Sequence, residues 1–139
     1  METPNVFNTL NWPAVFACAV FAMALGWLWH SKFLFGKRWA EDAGVTPEKL
    51  KKINPPVLFG LAFLCNMLLS IILAITIYAE NHGPVFGAAM GLTISLTLIL
   101  PVIGVTYLFA MRTAKLFLID SGYFVTTFTV MGLIFGLWK

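Results

Sequence analysis

The chain has 139 residues, a length typical of one domain. Its residues are 60% hydrophobic and only 11% charged, whereas soluble domains are about 45–50% apolar and about 25% charged. This composition excludes a water-soluble globule. A membrane-spanning helix needs about 20 apolar residues, and the sequence contains four apolar stretches of roughly that length. Little of the chain remains for a soluble catalytic domain.

The apolar stretches lack the every-second-residue alternation of barrel strands, so they predict helices. The predicted fold is all-α, an integral membrane four-helix bundle formed by a single domain, residues 1–139. The predicted spans are, in chain order, residues 12–30, 57–79, 85–111 and 122–138, with a loop at 32–56. Pro101 and Gly104 predict a kink in the third span. Residues 115–120 are interpreted as an extension of the third helix, ended by a turn at 121–122.

The basic residues lie almost entirely on one side of the predicted membrane. Eight of the nine occupy the loop between spans one and two or the loop between spans three and four, and only Lys139 lies opposite. The eight are Lys32, Lys37, Arg38, Lys49, Lys51, Lys52, Arg112 and Lys115. Because cytoplasmic loops carry the excess of Lys and Arg, we predict both basic loops in the cytoplasm and the N-terminus and C-terminus outside. The net charge of +3 is therefore interpreted as a topology signal, and not as a nucleic-acid footprint.

Small residues spaced four apart recur on three spans, where they allow two helices to approach closely. They are Ala14, Cys18, Ala22 and Gly26 in the first span, Gly83, Gly87 and Gly91 in the third, and Gly132 and Gly136 in the fourth. These rows predict packing faces within one four-helix bundle. The alternative is that one row forms a seam between copies of the chain, which would make the protein a homo-oligomer.

Polar side chains within the spans predict a second kind of contact. They are Asn66, Ser70, Thr97, Thr126 and Thr129. Such groups hydrogen-bond between membrane helices, so we expect a polar seam between spans two, three and four. The alternative is a hydroxyl-lined path through a small oligomeric channel or carrier.

The titratable residues do not assemble into a catalytic or metal site in the predicted topology. His30 and His82 lie on opposite sides of the membrane, and Cys18 and Cys65 lie within spans without a C-x-x-C spacing. We therefore expect no catalytic residue, no metal and no cofactor, and a protein that is not an enzyme. It would act by self-association, by binding a protein partner or by binding membrane lipids, and nucleic acid is not expected as a partner.

The densest motif lies at the predicted cytoplasmic exit of the first span, residues 26–39, which hold three tryptophans, a histidine and two glycines. His30 continues the four-residue spacing from Gly26, so its ring is expected to face the bundle and to meet Asp120 or Tyr107. The candidates for lipid or small-ligand binding are Trp29, His30, Trp39, Asn66, Tyr107 and Asp120. The two tryptophans among them would wall a pocket at headgroup level. The alternative is an aromatic belt with an interfacial histidine and no ligand.

The string G-x-L-W-H-S-x-x-L-F-G-K-x-W in this motif, with Gly122-Tyr123 and the closing residues 132–138, resembles the DUF1761 family of small bacterial membrane proteins. The resemblance extends over nearly the whole chain in the layout of four spans. It implies a multi-pass protein of the bacterial inner (plasma) membrane. It implies no particular activity.

Overall fold

The computed structural model describes residues 5–80 and 82–138, which form helices joined by short turns. The α-helices are α1 (Trp12–Trp29), α2 (Gly36–Ala43), α3 (Pro47–Lys51), α4 (Pro55–Glu80), α5 (Pro84–Ile94), α6 (Leu100–Phe109) and α7 (Ala114–Leu137). A 3-10 turn, Val6–Thr9, precedes α1, and a π-helical turn, Ser95–Ile99, joins α5 to α6. The all-α prediction is confirmed. Lys139, the basic residue predicted on the opposite side, lies outside the described residues.

Within the described residues, four helices are long and apolar enough to cross a membrane. They are Trp12–Trp29, Pro55–Glu80, Pro84–Phe109 and Ala114–Leu137, the third of which includes the π-helical turn. At about 1.5 Å of rise per residue, even the shortest of them covers most of a hydrocarbon core of about 30 Å. Their outward faces carry exposed large apolar side chains, which suit lipid and not water. The protein is therefore a multi-pass membrane protein.

The predicted beginning of the fourth span is wrong, because α7 starts at Ala114 and not at residue 122. The third span ends with α6 at Phe109. The chain then reverses at Met111, whose φ of 54° is the left-handed conformation that often ends a helix. Thr113 then caps α7 by accepting a hydrogen bond from the Leu116 backbone N–H at 3.2 Å. Residues 115–120 therefore open the fourth span and do not extend the third helix.

The third span is irregular close to the position where a kink was predicted. Its π-helical turn, Ser95–Ile99, comes immediately before the turn that contains Pro101. Proline has no backbone N–H, so the helix cannot keep its full set of hydrogen bonds there. Ser95 is fully buried in this turn, and its hydroxyl donates to the Leu92 carbonyl at 2.8 Å.

The helix α7 lies at the centre of the bundle, in contact with α1, α2, α4, α5 and α6. The buried apolar core collects side chains from α1 and the residues just before it, α4 and α7, in the half of the bundle that contains the start of α1 and the end of α7. Its members are Leu10, Ala14, Val15, Cys18, Ala22, Leu73, Ala74, Ile77, Phe128, Met131 and Phe135. Ala14, Cys18 and Ala22, three of the four small residues in the predicted row of α1, therefore belong to this core. The other half of the bundle ends in residues 30–54 and 110–113, which we call the basic end.

The closest helix contact is between α5 and α7, whose backbones touch through glycines. A Cβ atom on Gly132 would lie 2.0 Å from the Gly87 carbonyl oxygen, and one on Gly91 would lie 2.0 Å from the Phe128 carbonyl oxygen. A Cβ atom on Gly136 would lie 2.5 Å from the Pro84 Cα and 2.8 Å from the carbonyl oxygen of Gly83, the cap of α5. The glycine rows of the third and fourth spans thus face each other within one chain.

This contact predicts that Gly132→Ala destabilises the protein, because its methyl group meets backbone atoms that cannot rotate away. We expect a loss of about 1–3 kcal/mol, the usual cost of overpacking. The matched control is Gly60→Ala in α4, where an added Cβ has no neighbour within 4 Å. Thermal unfolding in mild detergent should give a lower Tm for the first variant and an unchanged or higher Tm for the second, since alanine favours a helix. Equal Tm values would contradict the contact.

Candidate functional site

Three spans meet at the basic end through one carboxylate, that of Asp120. The Nε2 atom of His30, at the end of α1, lies 3.3 Å from Asp120 Oδ1. The Tyr107 hydroxyl, from α6, donates a hydrogen bond to Asp120 Oδ2. The Asp120 side chain is 13% exposed and that of His30 is 27% exposed, so the group is half-enclosed and still reachable from outside the bundle. The sequence predicted that His30 would face Asp120 or Tyr107, and the structure brings all three together.

The surroundings of His30 favour its charged form. Its Nδ1 atom lies 2.9 Å from the Gly26 carbonyl oxygen, and its Nε2 atom faces the carboxylate, so both ring nitrogens meet acceptors. Only the imidazolium donates from both nitrogens. Burial lowers the pKa of His30, but the hydrogen bonds to Asp120 and Gly26 and the charge of Asp120 outweigh it, so the pKa is raised above 6.5. We therefore describe His30 and Asp120 as an ion pair.

Aromatic rings surround this ion pair. Trp39, from α2, meets the His30 ring edge to face with 5.0 Å between centroids, and Tyr123, from α7, lies 5.7 Å from it. Trp29 is fixed by a hydrogen bond from its indole N–H to the Ile119 carbonyl at 2.9 Å. Of the two tryptophans predicted to wall a pocket, Trp39 thus lies against the His30 ring, whereas Trp29 packs against Tyr123.

The motif at residues 26–39 packs against Gly122 and Tyr123 at this site. Tyr123 lies against Gly26, where a Cβ atom would be 3.3 Å from its hydroxyl oxygen, and Trp29 lies over Gly122. Gly36 passes so close to the chain that a Cβ atom there would lie 2.3 Å from the His30 carbonyl oxygen. The glycines are therefore the positions where backbone or ring packs too closely for a side chain.

Two pockets open on either side of Tyr107 and Arg112. The polar pocket has a volume of about 310 Å³ and is lined by Trp39, Ala43, Thr106, Tyr107, Ala110, Arg112, Leu116 and Asp120. The apolar pocket has a volume of about 320 Å³ and is lined by Gly104, Tyr107, Leu108, Arg112, Thr113, Ala114 and Phe117. Both lie where α6 packs less closely against α7 than α5 does.

Arg112 is the site residue that sequence reasoning missed, because it was counted only as a loop charge. Its Nη1 atom donates to the Ala43 carbonyl at 3.3 Å, which ties the turn between α6 and α7 to the end of α2. Its position just before Thr113, the cap of α7, is the sequence signal that could have placed it near Asp120.

Asn66 lies apart from the cluster. Its side-chain amide donates to the Ala62 carbonyl at 3.1 Å and approaches the Met23 sulfur at 3.4 Å, so it serves the α1–α4 contact. Ser70 likewise bonds α1, at the Val15 carbonyl. The hydroxyls of Thr97, Thr126 and Thr129 donate to carbonyls of their own helices. The predicted polar seam between spans two, three and four is therefore wrong, because the threonine hydroxyls donate to backbone carbonyls of their own helices and Ser70 bonds to α1.

The raised pKa of His30 predicts that stability falls as the pH rises. The ion pair contributes fully below the unfolded pKa of about 6.5 and is lost as the pH rises through the higher folded value. The Tm of the purified protein in mild detergent should decrease over this window, and His30→Gln should remove the decrease. His82→Gln, at the opposite end of the bundle, is the control and should leave it in place. A wild-type Tm that is constant or rises over this window would contradict the ion pair.

A family model described as "Protein of unknown function (DUF1761)" matches residues 13–136 of the chain. The match includes every member of the cluster at the basic end and nearly all of the four spans. No protein of curated function and no solved structure matches the chain. The geometry of the basic end therefore has to supply the functional argument.

Proposed function

Since the chain belongs to the DUF1761 family, whose description assigns no activity, we propose from its own geometry that it binds a phospholipid at the basic end. The phosphate would lie at Arg112, the headgroup in the polar pocket and an acyl chain in the apolar pocket. The protein would act by binding and not as an enzyme. The observation that carries the proposal is that Arg112 lines both pockets at once.

Arg112 has the chemistry that a lipid phosphate requires. A guanidinium is planar, always charged and suited to two parallel hydrogen bonds with phosphate oxygens. In this chain one of its nitrogens donates to Ala43, which holds the side chain in place and leaves further N–H groups for a ligand. The first residues of α7 line the apolar pocket beside Arg112. The positive end of the α7 helix dipole therefore adds to the attraction for an anion.

The apolar pocket continues from Arg112 toward the membrane interior along α6 and α7. Gly104 removes side-chain bulk from α6 there, and Phe117 of α7 faces it, with its ring 3.6 Å from the position of a Cβ on Gly104. Leu108 on the rim is 80% exposed, which suits a surface covered by hydrocarbon. Charge at one end and apolar surface along the rest match the two parts of a phospholipid.

The lipid would come from the inner leaflet. Seven of the nine basic residues lie at the basic end and an eighth, Lys115, in the adjoining first turn of α7, so the positive-inside rule favours a cytoplasmic location for it and an outside location for both termini. The membrane we propose is the bacterial inner membrane, whose anionic lipids attract basic segments near the surface. The six basic residues of 32–52 would then lie among headgroups around the pocket.

Retention of lipid tests this proposal. Wild-type protein, reconstituted in nanodiscs of phosphatidylethanolamine and phosphatidylglycerol and released for native mass spectrometry, should carry one phospholipid. Arg112→Gln should lower the lipid-bound fraction about tenfold, since hydrogen bonds to charged groups contribute about 1.5–3 kcal/mol. Gly104→Leu should lower it too, by filling the apolar pocket without removing a hydrogen bond.

The matched control is Arg38→Gln. Arg38 is a basic residue at the same end, but it pairs with Asp42 on α2 at 3.5 Å and lines neither pocket. This variant should retain lipid as the wild type does. Absence of lipid from the wild type, or equal losses in the Arg38 and Arg112 variants, would overturn the proposal.

A further inference from the structure

We infer that the polar pocket selects a phospholipid whose headgroup carries a primary ammonium group, held at Asp120 while the phosphate lies at Arg112. This inference rests on the phospholipid site proposed above and specifies the ligand of that site. The class of ligand is a zwitterionic amine headgroup, of which phosphoethanolamine is the simplest example.

Two opposite charges are held apart in the polar pocket. Asp120 and Arg112 both line the polar pocket, yet in the described part of the chain they do not pair with each other. Asp120 pairs with His30, and Arg112 donates to the Ala43 carbonyl. A carboxylate and a guanidinium held apart along one cavity match a ligand with a cation at one end and an anion at the other.

The Asp120 carboxylate has hydrogen-bonding capacity left for a ligand. A carboxylate has about four lone-pair positions, and His30 and Tyr107 occupy one on each oxygen. An ammonium group has three N–H donors and no acceptor. Thr106, whose hydroxyl oxygen can also accept a hydrogen bond, lines the same pocket. A phosphate or carboxylate placed beside Asp120 would instead meet a like charge.

Aromatic rings line the polar pocket beside Asp120. Trp39 and Tyr107 both line the pocket beside the carboxylate. A cation close to the face of an indole or phenol ring is attracted by the ring's negative quadrupole. Acid and aromatic groups together thus favour a cation on the Asp120 side of the pocket, opposite Arg112.

The test is a competition between headgroups on identical acyl chains. Full-length protein in mild detergent is incubated with equal amounts of phosphatidylethanolamine and phosphatidylglycerol, and the retained lipids are counted by native mass spectrometry. The wild type should prefer phosphatidylethanolamine about tenfold, the scale of one charge-assisted contact. Asp120→Asn should lower phosphatidylethanolamine retention to the level of phosphatidylglycerol, and Asp42→Asn, an acid outside the pocket, should keep the preference.

Two further arms keep the result interpretable. Trp39→Leu removes no hydrogen bond from Asp120 and should reduce the preference about threefold, the size of an exposed cation–π contact. Phosphatidylcholine, whose nitrogen carries no N–H, should compete poorly. Equal retention of phosphatidylcholine or phosphatidylglycerol by the wild type would overturn the amine inference and leave the phospholipid site standing. A wild type that retains no phospholipid would instead overturn the proposed function itself.

Discussion

A carboxylate in the second turn of a membrane-spanning helix has to be paired, and the arrangement of the basic end follows from that requirement. Asp120 lies at this depth in α7, and its partners come from α1 and α6. Each partner is fixed in turn, since His30 also bonds the Gly26 carbonyl and Trp39 covers its ring. One charge thereby determines the relative positions of three spans and of the surface helix α2.

The two ends of the bundle are stabilised by different physics. Away from the basic end, glycines bring the backbones of α5 and α7 into contact, and the buried apolar core fills the space beside them. Toward the basic end, polar hydrogen bonds and aromatic contacts replace that close packing, and α6 separates from α7. The two pockets beside Tyr107 lie in this second half, where α6 packs less closely against α7 than α5 does.

Much of this could be predicted from the sequence, because the bilayer imposes simple rules. Continuous apolar runs were sufficient for four spans, and the spacing from Gly26 to His30 predicted that the imidazole faces Asp120 or Tyr107. The start of α7 could not be predicted from hydropathy, since Lys115 and Asp120 look like loop residues until Thr113 is recognised as a cap. The role of Arg112 depends on its hydrogen bond to the Ala43 carbonyl, a tertiary contact that no local pattern encodes.

The π-helical turn Ser95–Ile99 sets the direction in which the later side chains of the third span face around the helix axis. A regular helix turns about 100° per residue. The sixteen steps from Gly91 to Tyr107 would therefore leave Tyr107 about 160° away from the glycine face that meets α7. Each π-type hydrogen bond encloses one more residue than an α-type bond, and one added residue takes about 100° from that angle. The remaining offset, about 60°, lets one helix present glycines to α7 at one end and a phenol hydroxyl to Asp120 at the other. The π-helical turn thus lets the third span contact α7 by close packing at one end and by hydrogen bonding at the other.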